Sequence, residues 1–136
     1  MYQVKRASQS HTLPIRGLAY HIRTWGTPKP DVPPLVMVHG WMDIGASFQF
    51  MVDALADDRW VIAPDLRGFG GTQPAFADSF WFADYLADLD AILQSLVGDQ
   101  PIDLLGHSLG GHIATTYAGV RPNRIRRLVN LEGFGL

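Results

Sequence analysis

Apolar residues follow two rhythms along this chain. Leu35-Val36-Met37-Val38, Trp60-Val61-Ile62-Ala63 and Pro101-Ile102-Asp103-Leu104-Leu105 are short, mainly apolar runs, the pattern of strands buried on both faces. Between them the spacing changes to three and four. Phe48, Met51, Val52 and Leu55 predict a helix over about residues 47–57. Trp81, Phe82, Tyr85, Leu86, Leu89, Ile92, Leu93 and Leu96 form a wide stripe over 79–97, with Asp84, Asp88 and Asp90 expected to face water and Gly98 as the stop. Ile113, Thr116, Tyr117 and Val120 predict a third helix, broken by Arg121-Pro122-Asn123-Arg124. Residues 11–17 and 18–25 read as two strands turning near Arg16-Gly17, and 125–131 as a last strand before the loop Glu132-Gly133-Phe134-Gly135-Leu136. The proline-rich stretch 26–34 is a surface loop and no domain boundary, because what precedes it is too small to fold alone.

Strands alternating with helices call for an α/β fold: three layers, α/β/α, around a mostly parallel sheet of about six strands in one domain. Chemistry in such sheets gathers at the carboxyl ends of the strands, which brings the ends at His39-Gly40, Asp65, Ser108 and Glu132 to one edge. Composition agrees, since 47% hydrophobic and 18% charged residues describe a globular chain. A net charge of −2 without a basic stripe gives no reason to expect nucleic acid. With no cysteine there are no disulfides, cysteine nucleophiles or thiolate metal sites, and a reducing, cytoplasmic location is expected. Met1-Tyr2-Gln3-Val4-Lys5-Arg6-Ala7-Ser8 lacks the apolar run of a secretory signal, and no stretch is long enough to span a membrane. No phosphate loop, dinucleotide fingerprint or metal-ligand cluster is present, so neither cofactor nor metal is expected.

The most specific chemistry lies in Leu104-Leu105-Gly106-His107-Ser108-Leu109-Gly110-Gly111. Six serines and 14 glycines in 136 residues give about 0.06 chance matches to Gly-x-Ser-x-Gly. Here the match stands where a predicted strand meets a predicted helix. A serine in so sharp a turn brings neighbouring backbones close, and only small residues fit beside it. Its hydroxyl then stands clear, and the first N–H groups of the helix point at the place where an oxyanion would form.

With these elements in order, the chain resembles the α/β-hydrolases over nearly all its length. The resemblance rests on His39-Gly40-Trp41, Asp65-Leu66-Arg67-Gly68-Phe69-Gly70, Gly106-His107-Ser108-Leu109-Gly110-Gly111, and Arg121-Pro122-Asn123-Arg124-Ile125-Arg126-Arg127-Leu128-Val129. It implies Ser108 as nucleophile and an oxyanion hole from the backbone N–H groups of Trp41 and Leu109, with His39, Gly40, Gly106, His107 and Gly110 in support. Members that open epoxides or displace halide usually carry aspartate at the turn. Serine favours acyl transfer on a small-molecule ester, thioester, lactone or amide. The resemblance further implies two more strands, their helices and a cap after the sixth strand, so residues 1–136 correspond to the N-terminal part of one such domain.

A serine nucleophile needs a base and an orienting acid, which the family places after it in the chain. The one later histidine, His112, lies in the helix leading away from the turn, where its spacing does not suit it. His11 and His21 read as surface residues of the first strands, and Asp43 and Asp65 as organisers of their turns. Glu132 after the sixth strand is a candidate acid, because a minority of the family carries the acid there. The leading reading is therefore a serine hydrolase incomplete within these residues. One alternative is a non-catalytic binding module, or a half-enzyme that takes its base from a partner chain, with self-association or a partner half expected along the open sheet edge. Another is a lyase on the same scaffold.

Overall fold

A computed structural model of the chain describes residues 1–76 and 80–134. Ser79, where the second helix was expected to begin, and Gly135-Leu136 of the expected end loop lie outside the described residues. One six-stranded sheet organises the fold. It contains β1 (Ser8–Ile15), β2 (Leu18–Trp25), β3 (Leu35–Val38), β4 (Val61–Pro64), β5 (Ile102–His107) and β6 (Ile125–Leu131), in the order β1-β2-β4-β3-β5-β6. β1–β2 and β2–β4 pair antiparallel, while β3–β4, β3–β5 and β5–β6 pair parallel. The β1–β2 turn has two residues, Arg16 at φ 45° and Gly17 at φ 83°, and left-handed backbone at both matches the twist of the hairpin.

Three helices cover the sheet: α1 (Gln49–Ala54), α2 (Phe82–Val97) and α3 (Leu109–Val120). Tyr85, Leu89, Ile92 and Leu93 of α2 and Ile113, Ala114 and Tyr117 of α3 share one core with Tyr20, Ile22, Val36, Ile62 and Leu104. On the opposite face Phe48 and Val52 pack with Trp25, Leu35, Met37, Val61, Ala63 and Leu105. The α/β/α layering expected from the pattern is thus present. β3 and β4 are buried along their whole length, as continuous apolar runs in a parallel sheet should be.

The boundaries depart from expectation in instructive ways. β1 begins at Ser8, since its solvent-facing residues carry no apolar signal. The first helix is only Gln49–Ala54, preceded by a 3-10 turn over Gly45–Phe48. Asp88 does not face water. It is 1% exposed, and its carboxylate takes two bonds from Arg67, Nε and a terminal nitrogen each at 2.8 Å, and one from Arg16 at 2.8 Å. The Tyr20 hydroxyl adds a fourth at 3.2 Å. Asp84 and Asp90 are half-buried, paired with Arg16 and Arg121. β6 has β5 as its one partner among the described residues, and its Leu128 and Val129 are exposed.

Candidate active site

β5 ends at His107 and α3 begins at Leu109, so Ser108 alone makes the turn. It does so at φ 52°, ψ −117°, a backbone that L-residues rarely adopt and that costs about 1–3 kcal/mol. Its two flanking glycines are steric necessities. A Cβ on Gly106 would lie 2.1 Å from the Gly110 carbonyl oxygen, and one on Gly110 would lie 2.0 Å from that of Val38. The bonds made by Ser108 itself are backbone ones: its N–H donates to the Leu131 carbonyl at 2.9 Å, and the His112 N–H donates to its carbonyl at 3.1 Å. The Ser108 side chain makes no capping bond, and the residue is exposed.

The loop after β3 lies directly against this turn. A Cβ on Gly40 would be 3.2 Å from both Ser108 Cβ and His107 Nδ1. The loop is pinned from beneath by His39, which is fully buried. The Leu66 N–H donates to His39 Nε2 at 2.8 Å, so the proton sits on Nδ1, which donates to the Gly40 carbonyl at 2.8 Å. Burial holds this imidazole below its ordinary value, against a smaller upward pull from the Gly40 carbonyl. The folded protein therefore binds this proton less readily than the unfolded chain, and stability falls as pH drops below about 6.5. Denaturation midpoints are expected to be lower at pH 5.5 than at pH 7.5, and His39→Gln to flatten part of that slope, at most one proton or about 1.4 kcal/mol per pH unit. An unchanged slope in His39→Gln would assign the dependence to other groups.

Beyond Gly40 stands Trp41, 62% exposed, with its ring edge-on to Phe69 at 5.3 Å; Phe69 also meets His39 edge-on at 5.6 Å. Phe69 belongs to the loop after β4, which Asp65 organises from a buried position. Asp65 accepts the N–H of Gly45 at 2.7 Å and of Gly71 at 2.9 Å, and its Oδ2 lies 2.8 Å from His21 Nδ1. His21 is thus half-buried and engaged, not a free surface residue. Asp43 accepts the Ile44 N–H at 2.8 Å and the Ser47 hydroxyl, closing the turn after Met42.

The remaining histidines are placed as follows. His11 sits on β1 with Nε2 2.9 Å from the Thr24 hydroxyl. His107 is exposed beside Gly40. The His112 ring packs against Phe82 of α2, tilted by 55° with centroids 4.2 Å apart, and its Nδ1 is buried without a partner among the described residues. Glu132 is exposed at the end of β6, in left-handed backbone at φ 57°. Sequence reasoning passed over Asn130. Its amide accepts the Gly133 N–H at 2.6 Å and donates at 3.0 Å to both the Gly133 carbonyl and the Thr115 hydroxyl. The available signal was an asparagine three residues before a glycine at a strand end, a local turn-former.

The sheet order, the strand-turn-helix at Ser108 and the loops folded over it define a class. The chain belongs to the α/β-hydrolase-fold family, whose model matches residues 33–135. It is 36% identical over 106 residues to a 2-hydroxy-6-oxo-2,4-heptadienoate hydrolase of Pseudomonas putida, covering 76% of this chain and 38% of that protein. To epoxide hydrolase 3 of Siraitia grosvenorii it is 34% identical, over 89% of this chain and 37% of the relative. Among solved structures, the thioesterase domain from the curacin biosynthetic pathway superposes with a TM-score of 0.81 at 33% identity, over 91% of this chain and 44% of that one. The chain therefore spans less than half the length of these relatives. Its ancestry is that of hydrolases. Among the described residues no helix is long and apolar enough to cross a membrane, and no group of three or more potential ligands could hold a metal ion.

Proposed function

We propose that this chain carries the nucleophile and oxyanion hole of a serine hydrolase acting on a small-molecule ester, thioester, lactone or amide. The observation that carries this reading is Ser108 itself, a hydroxyl-bearing residue in strained left-handed backbone with two glycines making room for it. Ser108 Oγ attacks the acyl carbon as a base takes its proton. The carbonyl oxygen becomes an oxyanion between the N–H of Trp41 and that of Leu109, a first helical residue whose N–H has no acceptor within the helix. The same base then protonates the departing alcohol, thiol or amine, and water hydrolyses the acyl-serine to release the acid. Serine where epoxide-opening members usually carry aspartate supports acyl transfer, and the likeness to a thioesterase domain points the same way.

Among the described residues no histidine ring is bonded to Ser108, and the base in this reading comes from outside residues 1–136. Glu132, beside the Leu131 carbonyl that holds the Ser108 N–H, is the proposed orienting acid. A fluorophosphonate probe is expected to label the native protein covalently, and Ser108→Ala to abolish labelling. Labelling that survives Ser108→Ala, or a folded native protein that never labels, overturns the reading.

A further inference from the structure

We propose that Asn130 is a positioning residue for the Ser108 turn, an inference that rests on the serine-hydrolase reading for its catalytic meaning and on geometry for its structural one. The last register pair of the β5–β6 ladder is His107 with Leu131, and the next backbone bond runs from the Ser108 N–H to the Leu131 carbonyl. That carbonyl is the acceptor that fixes the nucleophile's own peptide group, so its position matters to the chemistry. Immediately after it β6 ends, and the chain reverses through Glu132 at φ 57°. An exposed strand end at the edge of a sheet frays unless something ties it down.

Asn130 supplies the tie. One amide closes the turn in both directions, accepting the Gly133 N–H and donating to the Gly133 carbonyl, and also reaches the Thr115 hydroxyl on α3. The turn is seated on the first turn of that helix with no room to spare. A Cβ on Gly133 would lie 2.4 Å from the Gly111 carbonyl carbon, and a Cβ on Gly111 2.6 Å from Asn130 Oδ1. Gly111 is three residues past Ser108. Asn130 therefore couples the strand end that holds the Ser108 N–H to the helix that Ser108 opens, and holds Glu132 in its left-handed conformation between them. Aspartate keeps the acceptor for the Gly133 N–H and loses the donors, which makes it the graded variant.

Two readouts on the native protein separate the parts of this proposal. Amide hydrogen exchange should show Ser108 and Gly133 exchanging at least about tenfold faster in Asn130→Ala, with α2 amides unchanged and Asn130→Asp intermediate at Gly133. The second-order rate of fluorophosphonate labelling should fall by at least about tenfold in Asn130→Ala and recover in part in Asn130→Asp, with Asn123→Ala as a surface control. Unchanged exchange at Ser108, or altered exchange with an unchanged labelling rate, overturns the positioning role. If the wild-type protein never labels but Ser108 exchange responds as expected, the positioning geometry stands and the serine-hydrolase reading falls.

Discussion

Asp88→Ala is expected to destabilise the fold by about 3–5 kcal/mol, a fall in melting temperature of about 10–15 °C for a chain of this size. The carboxylate is buried and pairs with two guanidinium groups that arrive from different parts of the chain, Arg16 from the hairpin turn, which it shares with Asp84, and Arg67 from the loop after β4. The hydrogen bonds to Asp88 hold the Arg67 guanidinium above its ordinary value, and burial pushes up the adjoining Tyr20 phenol. Removing the carboxylate strands a charge that is itself mostly buried. The cause is separable from lost packing: Asp88→Leu combined with Arg67→Met should recover much of the stability, because it leaves no buried charge unpaired, Arg16 being partly exposed and keeping Asp84. Chemical denaturation of the single and double variants checks this. A double variant as unstable as Asp88→Ala would mean that the network's value lies in shape and not in charge.

Gly110→Ala is expected to cost about 3 kcal/mol or more and to abolish labelling of Ser108, while Gly119→Ala on the same helix is expected to stabilise by about 0.5–1 kcal/mol. The two glycines differ only in surroundings. At Gly110 the new methyl would meet the carbonyl oxygens of Val38 at 2.0 Å and His39 at 2.6 Å, backbone atoms of β3 and its following residue that cannot swing aside. At Gly119 a Cβ meets nothing within 4 Å, so alanine there gains helix propensity at no steric cost. Thermal melts of both variants, read beside probe labelling, give the contrast directly. Equal stabilities would show that the turn relaxes far more easily than its geometry implies.

Periodicity reported what is local. The β6 limits, Ile125–Leu131, agree with the pattern because proline and arginine break the helix before it. The centre of the α2 stripe agrees, since Tyr85, Leu89, Ile92 and Leu93 are all buried, but Trp81, expected in it, precedes the helix and is 73% exposed. The Ser108 turn was legible because sterics leave so few residues able to flank it. What stayed hidden depends on pairings between distant segments. A helical wheel places Asp88 at the border of the apolar stripe, three residues after Tyr85 and four before Ile92, but nothing within α2 reveals that Arg16, 72 residues earlier, closes over it. His21 looked like a surface residue of a half-exposed strand until Asp65 arrived from β4, 44 residues on. Asn130 was overlooked because its reach to Thr115 and its seat beside Gly111 on α3 arise only when the β5–α3–β6 crossover folds back.

The Ser108 side chain bears no part in holding its own turn, since the bonds that shape it run through backbone N–H and carbonyl groups. The architecture is accordingly indifferent to which side chain stands at that tip, provided the residue tolerates the strained positive-φ backbone there. A change of side chain at that tip would leave those backbone bonds, and the loop that buried His39 pins beneath it, in place. The tip is in that sense an exchangeable mount, which the scaffold tests for backbone strain and not for the chemistry of the side chain.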